Sequence, residues 1–247
     1  MRKFWFRLAN AAVATVATAG LLLIQTDLWN PKHIFGWTVS LIVVLAGEAV
    51  GQEGAAAWRA YRTDRRHRFQ EKARVALNSA LLKLSRCGLD LEQVGVSAFL
   101  VRRRWWCPWR PILERIARVR LPSTPPGSSI TWTKGKGVIG VCWETHNPVA
   151  KNTQQAYKAY MGCSKEKWKQ VPSDVRMRMT HKDFVRIAQK YAGVVAVPIV
   201  TIGGRPKVVG CVSVDLRQDA DIEPLLQNAV QEIAQDAALS IAAGMPK

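Results

Sequence analysis

Two stretches decide the fold: residues 136–149, KGVIGVCWETHNPV, and residues 208–216, VVGCVSVDL. The first reads as a short buried helix, entered through Gly137 and Gly140 and stopped at Pro148, since proline cannot continue an α-helix. The second alternates small apolar residues and closes on Asp215, the pattern of a central strand. Working outward, Gly203-Gly204-Arg205-Pro206 is a hairpin turn joining that strand to one over residues 194–202. Thr180 caps a helix expected to run through Tyr191, with Phe184, Ile187 and Ala188 on one face. A last helix is expected from Asp221 to about Ala243, with Ile222, Leu225, Leu226, Ala229, Ile233, Ala237 and Ile241 along its apolar stripe.

Upstream, nothing breaks a helix over residues 55–86. Phe69, Ala73, Ala76, Ala80 and Leu84, with Leu77 and Leu81 beside them, form a seam there, which can pack on its own domain or on a second copy. Strands are expected over residues 94–101 and 112–121. Their connector, residues 102–111, reads RRRWWCPWRP. In it Arg102, Arg103 and Arg104 stand beside Trp105, Trp106 and Trp109. This loop can cover an edge of the core, press into a lipid interface, or stack on single-stranded bases. Residues 149–171 form a polar, basic segment with Tyr157, Tyr160 and Trp168 interspersed.

The N-terminal quarter reads as an anchor. Residues 8–25 are uncharged and largely apolar, near the lower limit for a bilayer span, and a second apolar run over residues 34–47 extends to 57 if Glu48 lies near headgroups. A signal peptide is the rival reading, but Leu21 to Ile24 follow the small-residue tract where cleavage would end the apolar region. Arg2, Lys3 and Arg7 precede the first run, Arg59, Arg62, Arg65, Arg66 and Arg68 follow the second, and the link holds only Lys32. Positive-inside bias then expects a two-helix transmembrane hairpin over residues 1–54 in the inner membrane, both ends cytoplasmic.

The chain of 247 residues carries 36 Lys and Arg against 18 Asp and Glu, a net charge of +18 that favours anionic surfaces, nucleic acid or acidic ligands. Its five cysteines include no CxxC, which fits reduced thiols, with Cys142 and Cys211 as small core residues. The four histidines are scattered, and no zinc-ligand spacing, GxSxG or phosphate-binding loop occurs. Cys142 and His146 share a helix face without an evident oxyanion site, so no enzyme and no metal are expected.

The element order, with Gly137-Val138-Ile139-Gly140 followed by Trp143, Thr145, Pro148 and Val149, and then the 194–199 and 209–215 strand pair, resembles the GAF domain family over about residues 69–243. The resemblance implies an α+β fold: an antiparallel sheet with helices on both sides and a ligand pocket roofed by the variable segment. It maps Trp143, His146, Tyr157, Tyr160, Phe184 and Tyr191 to that pocket, an aromatic-lined cleft suited to a planar small molecule. It also implies homodimerisation through the helices at 69–84 and 222–241. The chain departs from the family at His146-Asn147 and at Ala150-Lys151-Asn152, and it lacks the cyclic-nucleotide signature. The expectation is a membrane-anchored sensory or regulatory protein for an unidentified small ligand, with output through dimerisation, the hairpin or a partner protein. The alternatives are an effector that perturbs the membrane, and a basic module for nucleic acid or anionic lipid.

Overall fold

The computed structural model describes residues 18, 21, 34–104, 107–122, 130–203 and 205–245. The chain divides into two compact units, Met1–Arg66 and His67–Lys247. Helix α1 spans Ile34–Ser85. Its part in the first unit presents Trp58 stacked on Tyr61 at 5.9 Å, with the Arg62 guanidinium 5.2 Å from the Trp58 ring. The first expected span lies outside the described residues except for Thr18 and Leu21, and residues 34–57 are helical. Among the described residues, no helix is long and apolar enough to cross a membrane.

The second unit is built on a five-stranded antiparallel sheet in the order β2-β1-β5-β4-β3. Its strands are β1 Val94–Arg104, β2 Cys107–Val119, β3 Val149–Asn152, β4 Tyr191–Val200 and β5 Val208–Arg217. The helices after α1 are α2 Gly137–Thr145, α3 Thr153–Tyr160, α4 Lys165–Gln170, α5 Ser173–Arg176, α6 His181–Ala188 and α7 Asn228–Ala243. Strand side chains alternate between faces, so β5 serves two cores at once. Val212, Val214 and Leu216 join Val94 and Val96 under Leu77, Leu84, Val230 and Ile241 of α1 and α7. On the other face Cys211, Phe99, Val194 and Ala196 meet α2 and α6. Leu77 and Leu84 are fully buried, and such burial contributes about 1.5–3 kcal/mol per side chain.

The α1 seam therefore packs on its own sheet. What faces outward on α1 and α7 is Val75, Leu82 and Leu239, together with the Lys83–Asp236 ion pair at 2.9 Å.

Four elements differ from the sequence expectation. The connector at 102–111 is mostly strand: β1 continues to Arg104, which pairs with Cys107, while Trp105 and Trp106 lie outside the described residues. Pro108 and Pro111 are tolerated because β2 is an edge strand, where a missing N–H breaks no ladder. Tyr191 opens β4 and does not close the preceding helix, which ends at Ala188. A short edge strand, β3, occupies the start of the segment read as variable and polar. The closing helix is split: residues Glu223–Leu226 form a 3-10 turn around Pro224, Gln227 is extended, and α7 begins at Asn228.

Helix α2 begins as expected at Gly137, whose φ is +64° and where a Cβ would sit 2.6 Å from the Trp132 ring. Only glycine meets both conditions without cost. The helix ends at Thr145 with His146 left-handed (φ 61°), its N–H donating to the Cys142 carbonyl at 3.0 Å.

Candidate functional site

A β-bulge organises the site. Along β1 and β2, Ala98 pairs with Ala117 and Phe99 with Arg115, leaving Ile116 as an extra residue. Ile116 and Ala117 both enter the core under α1 and α7. Arg115 and Arg118 are thereby delivered to the opposite face, where both line a cavity. The spacing 115, 118, 120 matches no strand period, and the bulge reconciles it.

Sheet residues Ser97, Phe99, Val194, Ser213 and Asp215 floor this cavity, and Tyr191 stands beside them. Ser97 and Ser213 are direct cross-strand partners on β1 and β5, both buried. Asp215 is opposite Gly95, and the missing side chain there makes room for Arg120: a Cβ on Gly95 would meet Arg120 Nε at 2.6 Å. Arg120 Nη2 donates to Asp215 Oδ1 and its Nη1 donates to the Gln93 carbonyl at 3.3 Å. The Arg120 side chain is 2% exposed and that of Asp215 10%.

Burial pushes the Asp215 carboxyl above its ordinary range, with Arg120 and then Arg118 pulling it partly back. Burial, and next the Asp215 charge, raise the Tyr191 phenol. Burial, and next its neighbour Arg118, lower the Arg115 guanidinium. Arg115 also lies 5.3 Å from the Phe99 ring centroid.

The roof is tied down on two sides. Gly137 N–H donates to the Met177 carbonyl at 2.9 Å, and Trp168 Nε1 donates to the Met179 carbonyl at 3.1 Å. Trp168 stacks on Phe184 with ring centroids 4.5 Å apart. Thr180 and Asp183 form a reciprocal capping box on α6, and Lys136, just ahead of α2, pairs with Asp183 at 2.8 Å. Met177, Met179 and Ile187 thus face the sheet across the cavity, with Trp132 and the first turn of α2 as its wall.

Of the six pocket residues expected from sequence, Tyr191 lines this cavity. Trp143 is buried in the same core with Lys134 Nζ 5.6 Å from its ring, and Phe184 is spent on stacking with Trp168; neither lines the cavity. Tyr160 packs half-buried against the core, and His146 is exposed at the end of α2. Tyr157 falls on α3, its side chain outside the described residues.

In the basic hairpin, Arg102 is exposed and pairs with Glu114 at 3.0 Å; Arg103 is exposed, and Trp109 is 75% exposed. Arg104 is described in backbone only. Cys142 and Cys211 are both fully buried; a hydrogen bond with Cys142, then burial, drives the Cys211 thiol far above its ordinary range. Among the described residues no group of three His, Cys, Asp or Glu is placed to hold a metal ion.

The sequence reading missed Ser97, Arg115, Arg118, Arg120 and Ser213. A signal was present: Ser213 and Asp215 interrupt the apolar run of a strand at every second position, which puts polar groups on one face of a central strand.

Five antiparallel strands with helices on both faces, and a cavity between the sheet and its roof, define an α+β domain. No family model and no curated protein matches the chain. Similar solved structures include the GAF domain from an Acinetobacter phosphoenolpyruvate-protein phosphotransferase, at 13% identity and TM-score 0.39 over 74% of this chain and 92% of that one. The GAF domain region of a protein from Geobacter sulfurreducens PCA is 17% identical, with TM-score 0.40 over 73% of this chain and 99% of that one. A third is fRMsr of Staphylococcus aureus in complex with substrate, at 15% identity and TM-score 0.38 over 63% of this chain and 74% of that one. This last finding corrects the expectation that the chain is no enzyme: a protein solved in complex with substrate is among the similar structures.

Proposed function

We propose that this chain is a regulatory protein of GAF-like fold that binds a small molecule in the cavity over β1 and β5. The observation that carries the reading is the cavity floor. Ser97, Ser213 and Asp215 occupy the middle of the sheet, where apolar side chains would pack at lower cost. Occupancy has a short route to the far face, because Ser213 and Asp215 alternate along β5 with Val212, Val214 and Leu216 under α1 and α7. A ligand shifts those helices only to the extent that it binds two arrangements with different affinity. The test is purification of the intact chain followed by mass spectrometry of released small molecules. A reproducible compound lost in a Ser213→Leu variant supports the reading, and an empty cavity under every growth condition tried counts against it.

The charge asymmetry around the two N-terminal apolar runs supports anchoring in the inner membrane with the second unit cytoplasmic. Alkaline extraction of membranes checks this, since an anchored chain stays with the pellet. The exposed Trp109, with Arg102, Arg103 and Arg110 also exposed, favours a second role for the β1–β2 hairpin in touching an anionic surface. Binding of the chain to phosphatidylserine vesicles should then fall when Trp109 is changed to Ser.

A further inference from the structure

We infer that the ligand of this cavity is a planar oxyanion group, a carboxylate or an inorganic anion of the same shape; the inference rests on the cavity being a ligand site. Charge comes first. The Asp215 carboxylate is engaged by Arg120, so the one acid lining the cavity is already matched by a base. Arg115 is then a further guanidinium on the same lining, and it lies close enough to Asp215 and Tyr191 to act on them electrostatically. An anion in the cavity would balance the charge of Arg115.

Hydrogen bonding points the same way. Arg115 Nε and Trp132 Nε1 are both buried without a hydrogen-bond partner, and both residues line the cavity. Trp132 is only 7% exposed. Both orphans are donors and neither has any acceptor capacity, so what satisfies them must accept. Orphaned buried donors are rare enough in folded proteins to need an explanation, and a missing acceptor ligand supplies one.

Size sets the last limit. The cavity offers about 50 Å³ to the centres of water-sized groups. One water needs about 10–15 Å³ by that measure, so about four water-sized groups fit. Acetate and nitrate have that size and a flat array of acceptors. A larger acid fits only if its carboxylate enters and its remainder lies outside.

The experiment is calorimetric titration of the full chain at fixed ionic strength with acetate, nitrate and phosphate, and with acetamide as the uncharged isostere of acetate. Two variants accompany it: Trp132→Phe, which keeps the ring and deletes the donor, and Arg115→Gln. Acetate or nitrate should bind while acetamide does not, and each variant should weaken binding about tenfold or more, the range for a hydrogen bond to a charged group. Acetate working where nitrate fails assigns a carboxylate source, and the reverse assigns an inorganic anion. Acetamide binding as tightly as acetate overturns the anion inference while leaving the cavity a ligand site. Anion binding unaltered in both variants also overturns it, because the anion then sits on the basic surface. Failure of all four compounds overturns the inference, and small-molecule mass spectrometry of the purified chain decides separately whether the cavity is a site at all.

Discussion

Replacing Arg120 by methionine strips the buried Asp215 carboxylate of the guanidinium that holds it. Removing one partner of a buried pair costs about 3–5 kcal/mol, because the other charge is left unmatched in a poorly polarisable surrounding. The protein's cheapest response is to protonate Asp215. An aspartic acid with an ordinary pKa of about 3.9 lies about three pH units below neutrality, at about 1.4 kcal/mol each, which sets a ceiling of about 4 kcal/mol at pH 7. Arg118 and Arg115 also act on Asp215 and take over part of the lost attraction. The expected loss is therefore near the lower end, about 3 kcal/mol.

The sign of the pH dependence follows from the same reasoning. In Arg120→Met the folded-state pKa of Asp215 lies further above its unfolded value, so the penalty is absent below the unfolded pKa and grows as pH rises through the folded one. Between pH 7 and pH 5 the loss should shrink by up to about 1.4 kcal/mol per pH unit. Urea unfolding of the full chain at pH 5, 6 and 7, followed by tryptophan fluorescence, measures it. The double variant Arg120→Met, Asp215→Asn holds no unmatched acid and should recover most of the loss. A single-variant loss under about 1 kcal/mol, or one equal at pH 5 and pH 7, would refute a buried, charge-matched pair.

Three further outcomes are expected. Gly95→Ala drives a methyl into Arg120 Nε and should cost about 1–3 kcal/mol in urea unfolding, but much less in the Arg120→Met background, where the clashing group is gone. Burial pushes the Asp183 carboxyl up, but the hydrogen bonds from Lys136 and Thr180 outweigh it and hold the pKa below the ordinary range. That contribution is present above the unfolded pKa and is lost as pH falls through the folded one. Asp183→Asn should therefore cost about 1 kcal/mol at neutral pH and flatten the acid limb of stability followed by circular dichroism. Phe184→Ala removes the ring stacked on Trp168 and should cost about 3–5 kcal/mol, read as a lower urea midpoint with unchanged slope.

The parts of the fold that were legible in sequence are those written in local periodicity. The α1 seam, the GVIG helix entered through Gly137, the Thr180 cap and the β4–β5 hairpin each announce themselves within about ten residues. What was hidden depends on position in the sheet. Pro108 and Pro111 argue against a strand unless β2 is known to be an edge, and edge position is a property of the whole sheet. The bulge at Ile116 is a matter of register, and without it Arg115, Arg118 and Arg120 do not read as one face. Aromatic residues drew the site prediction to Trp143 and Phe184, which the core uses for packing, while the cavity floor sets Ser97, Ser213 and Asp215 beside Phe99 and Val194.

That floor is hard to account for by stability alone. A buried ion pair replaced by well-packed apolar residues is often neutral or favourable, and a donor left without an acceptor costs about 1–3 kcal/mol. Here the two central strands carry Ser97, Ser213 and Asp215 on one face, while their other face is packed with valine and leucine of ordinary core type. The same strands show what the sheet does when only packing matters, and the cavity face departs from it at Ser97, Ser213 and Asp215. Arg115 Nε and Trp132 Nε1, buried without partners, add to the cost of that face, and both lie where an acceptor would satisfy them. Ser97, Ser213, Asp215 and two unpartnered donors gathered around one small space have the energetics of a site whose binding partner supplies the missing half of the interactions.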